Sequence, residues 1–271
     1  MNLHVVIPVF NQVAYTRACL DSLNEDGISD AQIAVVDNGS TDGTREFLDS
    51  RRALRVIRNE FNRGCAAAWN QGVRALGAPW TVILNNDVLI PQGWSAGLLS
   101  FAEQKGMDIV SPAKCEGEID YDFATYARAF MEKMARAARR GIASGSCFLV
   151  HERVFLREGL FDDDPRLGGY EDDEFFRRSR ANGFRLGLTG SSFVHHFGSV
   201  TQKAIKATMP QPSASLGDRA YYREKYKLTW AKRQRSRIHR NFQNWIWRLN
   251  EVLAYGCTLV SRRENGKFVW R

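Results

Sequence analysis

Proline is scarce in this chain, seven in 271 residues, and 22 glycines are too few for a collagen-like or linker-dominated protein. No run approaches the ~18–20 uninterrupted apolar residues that a membrane-spanning helix needs. The opening Met1-Asn2-Leu3-His4 has no basic n-region and leads straight into a strand-like run, so no secretory signal is expected. Cys19, Cys65, Cys115, Cys147 and Cys257 are odd in number and form no C-x-x-C pair. That argues against a disulfide framework or a zinc site and for a reducing compartment. A cytoplasmic protein is the expectation. Also missing are a G-x-G-x-x-G after the first strand, a G-x-x-x-x-G-K-[ST], an H-E-x-x-H and a G-x-S-x-G. Dinucleotide, P-loop, zinc-protease and serine-hydrolase chemistry all lose support.

What is present is a core-forming composition, 44% hydrophobic, with 25% charged residues. The net charge of +8 is unevenly spread: residues 211–271 hold 14 Lys and Arg against four Asp and Glu, a net of +10, leaving −2 on residues 1–210. A basic appendage on a near-neutral body predicts a polyanionic partner.

Strand and helix signals alternate over the first two hundred residues, the mark of an α/β fold with a mostly parallel sheet. Leu3–Val9, Gln32–Val36, Leu54–Arg58, Trp80–Leu84 and Cys147–Val150 read as strands. Tyr15–Leu23, Thr44–Leu48, Cys65–Leu76, Phe123–Arg140 and Glu171–Ala181 read as helices. Pro91 and Pro112 read as punctuation, and Arg136, Arg139 and Arg140 as a solvated face. A boundary is expected at Met209–Ser213, giving a domain over 1–210 and a basic, Trp-rich helical extension over 211–271.

Polar clusters follow three of the strands: Pro8–Asn11, Asp37–Ser40 and Asn85–Asp87. In an open parallel sheet, ligands bind beyond the carboxyl ends of the strands, so the three clusters converge on one site. There Asp37 could accept an N–H from a base edge and Asp87 could hold a cation. The helix opening after Asn62-Arg63-Gly64 could offer its backbone N–H groups to phosphate.

Val6–Asn11, Val36–Thr44, Asn62-Arg63-Gly64 with Asn70-Gln71-Gly72, and Leu84–Asp87 resemble, in order, the motifs of family 2 glycosyltransferases of the GT-A fold. Gly159–Asp162, Tyr170-Glu171-Asp172 with Arg178, Asn182-Gly183-Phe184 and His196–Ser199 continue the resemblance across residues 3–201, with a rhamnosyltransferase-like branch nearest. The resemblance implies an inverting transferase that takes a UDP- or dTDP-linked sugar to a saccharide or lipid-linked saccharide hydroxyl. Pro8, Phe10 and Asp37 would line the base and ribose pocket. Asn11, Asn38, Arg63, Gly64, Asn70, Asn85, Asn86 and Glu171 would touch the nucleotide sugar. Asp87 and His196 would hold a divalent cation, Mn²⁺ or Mg²⁺, in a D-x-D-type element whose first Asp is here Asn85. Asp172 would be the general base.

Plainer readings stand beside these. Asp37 suits a turn, Asn85–Asp87 a β-turn, and Glu171–Glu174 the acidic first turn of a helix. Alternation along a strand turns only one of His195 and His196 toward the core. For the tail, docking of 231–253 on an anionic membrane and packing as a lid rank equally, with nucleic-acid binding well below. The rival to an enzyme is a non-catalytic nucleotide-sugar fold anchored through that tail. A nucleotidyltransferase would need a basic glycine-rich loop that Val9–Tyr15 lacks.

Overall fold

The computed structural model describes residues 3–198, 200 and 219–271. Strands β1 (Leu3–Val9), β2 (Ile33–Asp37), β3 (Arg55–Arg58) and β4 (Trp80–Leu84) alternate with helices α1 (Val13–Glu25), α2 (Thr44–Ser50) and α3 (Cys65–Ala75). After β5 (Val88–Leu89) and α4 (Trp94–Lys105) come β6 (Ile109–Gly117), α5 (Phe123–Met134), β7 (Ala138–Arg140) and β8 (Cys147–His151). Then follow α6 (Glu152–Glu158), α7 (Glu171–Ala181) and β9 (Leu186–His196). The described part of the tail holds α8 (Arg219–Lys225), α9 (Trp230–Tyr255), β10 (Val260–Glu264) and β11 (Lys267–Trp270).

The strands join in one mixed sheet of order β11-β10-β6-β8-β4-β1-β2-β3, with β5 and β7 attached through β9. The β4-β1-β2-β3 half is parallel, whereas β8 runs antiparallel to β4 and β6. Helices cover both faces. Along β1, Leu3, Val5, Ile7 and Val9 enter one apolar cluster and Val6 the other, as a doubly covered strand requires. Helix α3 lies so close to β1 that a Cβ on Gly72 would fall 2.2 Å from Val6 Cγ1.

Several expectations are corrected. The helix expected over Phe123–Arg140 ends at Met134, and Ala138–Arg140 form a strand antiparallel to β9. Pro112 does not end an element but lies within β6, where the pairing to β9 shifts register between Pro112 and Ala113. A residue without an N–H is tolerated at such an irregularity. The boundary at Met209–Ser213 lies outside the described residues. The extension is not helical throughout, because β10 pairs in parallel with β6 and turns back into β11 at Asn265-Gly266. Both turn residues have positive φ, 49° and 73°, which Asn-Gly accommodates at little cost.

Arg139 is not on a solvated face either. It is buried, and its Nε and Nη2 donate to the two carboxylate oxygens of Glu251 on α9 at 2.7 and 2.9 Å. Glu251 also accepts the N–H of Leu259 at 2.9 Å, so one ion pair fixes β7, α9 and the start of β10. Removing one partner from a buried pair leaves an uncompensated charge, at a cost of about 3–5 kcal/mol. Glu251→Ala should therefore lower the unfolding free energy, read from urea denaturation, by that amount. The apolar pair Arg139→Met with Glu251→Leu should recover most of it.

Candidate active site

The carboxyl-end rim of the sheet carries two contiguous groups of polar residues. The first surrounds β1, β2 and β3. Asp37, fully buried at the end of β2, accepts the Ser40 N–H at 2.8 Å on Oδ1. Its Oδ2 lies 3.3 Å from Arg45 Nε with no aligned hydrogen bond, a buried acceptor left available. Asn11, in the left-handed region at φ 57°, donates its N–H to Ser40 Oγ and accepts the Thr41 N–H on its side chain. It thereby stitches the β1 loop to the β2 loop. Asn38 donates to the Gly64 carbonyl at 3.2 Å and accepts from Asn59 at 2.8 Å, tying the β2 end to the mouth of α3. Pro8 is buried, Phe10 half-buried, and Arg63 and Gly64 exposed along that mouth.

The second group lines a cleft of about 470 Å³. Asn85, Glu171, Asp172 and His196 face it, with Lys114 its one lysine or arginine among the described residues. Asp87 lies against His196, because β5 pairs with β9 so that Val88 sits opposite His196. His196 Nε2 is 3.2 Å from Asp87 Oδ1, and neither buried ring nitrogen has an aligned hydrogen bond. Asp87 Oδ2 accepts the Val200 N–H at 3.2 Å. Burial pushes the Asp87 carboxyl up, but the adjacent His196 imidazole and the Val200 N–H outweigh it and hold the group below its ordinary value. Ser199 lies outside the described residues. The neighbouring His195 points away: its Nε2–H donates to the Gly117 carbonyl at 3.0 Å and its Nδ1 accepts from the Tyr121 hydroxyl at 2.8 Å. Burial lowers His195 to about 4, so it is a neutral packing residue at pH 7.

Other predicted residues are engaged elsewhere. Asn70 exchanges two hydrogen bonds with the backbone of Phe161, at 2.9 and 3.0 Å, and so clamps α3 to the Gly159–Asp162 loop. Asn86 turns inward and donates to Thr16 on α1 at 3.0 Å. Arg178 donates to the carbonyls of Glu158 and Leu160, at 2.7 and 2.8 Å, holding the same loop from the other side.

Glu171 and Asp172 open α7 at the cleft. Burial first, then the Asp172 charge, pushes Glu171 up to about 7. Burial and the Asp173 charge push Asp172 up to about 6, with Lys114 opposing. Two features of this cleft have no sequence motif that announces them. Cys65, the first residue of α3, is exposed at the cleft, where the charges of Glu171, Asp172 and Asp87 oppose ionisation of its thiol. Gly145 makes room for the Asp172 carboxylate, since a Cβ there would fall 1.8 Å from its Oδ2. Only the fold shows that the loop before β8 passes so near the start of α7.

The family model for glycosyl transferase family 2 matches residues 4–161. Glycosyltransferase GlyG of Streptococcus pneumoniae is 23% identical over 186 residues, covering 64% of this chain and 62% of its own length. The succinoglycan biosynthesis protein ExoU of Rhizobium meliloti is 34% identical over 185 residues, 59% of this chain and 52% of its own. The mannosyltransferase PcManGT of Pyrobaculum calidifontis, solved with GDP-Man and Mn²⁺, superposes with a TM-score of 0.55 at 23% identity. That match covers 72% of this chain and 56% of PcManGT. The chain thus spans under two thirds of the length of each of these three proteins.

The Gly145 contact can be checked without a substrate. In Gly145→Ala the Asp172 carboxylate must swing toward solvent, and its titration by carboxyl NMR should fall from about 6 toward the ordinary ~3.9. A circular dichroism spectrum matching the parent would show that the fold survives.

Proposed function

We propose, from the premise that this chain belongs to glycosyl transferase family 2, that it moves a sugar from a nucleotide-diphosphate donor to a hydroxyl of a saccharide or lipid-linked saccharide. The observation that carries the reading is one cleft holding Asp172, with its raised carboxyl, beside the Asp87–His196 pair.

The chemistry follows from the side chains. An acceptor hydroxyl ionises far above neutrality, so Asp172 takes its proton as the oxygen bonds to the anomeric carbon. The bond from that carbon to the donor phosphate breaks on the opposite side, and the nucleoside diphosphate leaves with the electron pair. A single displacement inverts the carbon and needs no second, nucleophilic carboxylate. Asp37, with its available Oδ2, is assigned to the base and ribose together with Pro8 and Phe10.

Asp87 and His196 would hold a divalent cation, Mn²⁺ or Mg²⁺, as one oxygen and one nitrogen donor. The His196 nitrogens without aligned partners fit that use. Such a cation, when bound, neutralises charge on the departing diphosphate. No group of three His, Cys, Asp or Glu able to hold a metal occurs among the described residues, so the diphosphate and water would complete the shell. A UDP- or dTDP-linked sugar is the first donor to try, the latter because of the resemblance to rhamnosyl-transferring enzymes. PcManGT adds a GDP-sugar to the screen.

The tail divides its work. Tyr222 on α8 is buried and stacks on Tyr170, 5.2 Å between centroids, so α8 packs against the catalytic body. On α9, Ile238, Phe242, Trp245, Leu249 and Leu253 recur every three or four residues and are 42–76% exposed. Among the described residues no helix is long and apolar enough to cross a membrane. An apolar stripe flanked by arginines suits a helix lying on an anionic, cytoplasmic membrane surface, where a lipid-linked acceptor would be met.

Two tests follow. Asp172→Asn should cut transfer by about 10²–10⁴-fold while donor binding is kept. In the parent, kcat/KM should fall as pH drops through about 6, because the base must be ionised. A carboxyl raised in the folded state costs stability above its unfolded value, so the same variant should melt higher at pH 7.5, not lower. Parent-like turnover in Asp172→Asn with a flat pH profile would refute the assignment. Separately, Phe242→Glu with Trp245→Glu should release the protein from vesicles containing phosphatidylglycerol in a sedimentation assay, with the circular dichroism spectrum unchanged.

A further inference from the structure

A second cavity, of about 440 Å³, lies on the other side of the α7 start from the catalytic cleft. Among the described residues its wall carries seven arginines, Arg177 and Arg180 from α7, Arg219 and Arg223 from α8, and Arg233, Arg237 and Arg240 from α9, against one acidic residue, Asp173. Cations crowded into one concavity repel each other, and the fold does little to relieve them. Arg177 Nε is turned onto the Tyr222 hydroxyl at 3.0 Å and Arg180 onto the Gly141 carbonyl at 3.1 Å. Burial and the Arg177 charge hold the Arg180 guanidinium below its ordinary value. Among the described residues, none of these seven arginines has a carboxylate within 4.0 Å. The Nε of Arg233 is buried without a hydrogen-bond partner. Arg180, Arg219, Arg237 and Arg240 are exposed and Arg177, Arg223 and Arg233 half-buried, so an arriving anion can reach the cluster and give the buried Arg233 Nε the partner it lacks.

The position of the cavity says which anion. Tyr170 and Asp173 line it, while Gly169, Glu171 and Asp172 line the catalytic cleft. Successive residues of a helix point about 100° apart, so the first turn of α7 is the partition between the two spaces. A helix is about 10 Å across, which sets the span between the base and the arginines. Across the cavity stands α9: Arg233, Arg237 and Arg240, at i, i+4 and i+7, form one face of it, and the exposed apolar stripe through Phe242 and Trp245 continues the same helix. A molecule with a hydroxyl at Asp172, a phosphate about 10 Å away and an alkyl chain beyond would meet all three features.

We propose that the arginine-lined cavity binds a diphosphate carried by the acceptor, so that the phosphate end of a lipid-linked saccharide is gripped while its sugar hydroxyl is presented to Asp172. Fork-shaped guanidiniums match phosphate oxygens in pairs, and several converging ones prefer a diphosphate to a single phosphate. The assignment to the acceptor rests on the transferase reading. The anion site itself does not, and binding alone tests it.

Calorimetric titration of the full chain with inorganic pyrophosphate, in 150 mM salt with EDTA, should show saturable binding at one site. Sulfate at the same ionic strength should bind at least ten times more weakly. Arg233→Gln with Arg237→Gln should weaken pyrophosphate about tenfold or more. Asp173→Asn should tighten it, a change of opposite sign that damage to packing would not give. Both variants should keep the parent's affinity for nucleoside diphosphate with Mn²⁺. Neutral phosphatidylcholine vesicles carrying a long-chain alkyl diphosphate should bind the protein more tightly than free pyrophosphate does, and the double Arg variant should lose that gain. Three results would overturn the proposal: pyrophosphate no better than sulfate, binding indifferent to the Arg and Asp173 substitutions, or a single-stranded oligonucleotide that binds far more tightly through the same arginines. Should pyrophosphate bind as stated while no nucleotide sugar is ever turned over, the cavity stands and the transferase reading falls.

Discussion

Glu171 and Asp172 line one cleft, with Asp87 held against His196 beside it, and the electrostatic cost of burying these carboxylates shapes the site. Like charges held close, away from bulk water, resist ionisation and push one another's pKa apart. The three are treated differently. Asp87 has an imidazole and a backbone N–H to hold its charge, whereas the backbone N–H groups and the Lys114 charge that favour ionised Asp172 are outweighed by its burial and the Asp173 charge. Asp87 is thereby held below its ordinary value and Asp172 above it. The same residue type serves two ends because its surroundings differ. Gly145, with no side chain, leaves the space in which the second of these survives.

Much of the fold was legible because its first half obeys local rules. Each of β1, β2 and β4 is a short apolar run followed by polar turn chemistry, and the clusters at their ends fall on one rim. The second half is held by pairings between residues distant in sequence. β6 and β9 meet through a register shift at Pro112, and Asp87 meets His196 only because β5 lies antiparallel to β9. Periodicity cannot reveal either meeting. Asn265-Gly266 was a hairpin signal in plain view, hidden by the charge and aromatics around it.

The arginines taught a similar lesson. Arg139 looks like its neighbours Arg136 and Arg140, yet it alone is sunk against Glu251, more than a hundred residues later in the chain. Composition gives the sum of charge in a segment but not which charges are paired. In the tail the distinction is sharp: Arg263 is bound to Asp120, while the arginines of α9 facing α7 have no such partner among the described residues. A basic tail is therefore two things, a clasp at its end and an electropositive recess before it.

Val260 of β10 borders the same cleft as Asp172, and it does so as the strand laid beside Lys114. That wall is contributed long after β1, β2 and β4 have left the ribosome. Domains form from the leading end during synthesis. A nascent chain can thus raise the β1–β4 rim early while the cleft beside Asp172 stays open until its last wall is laid down.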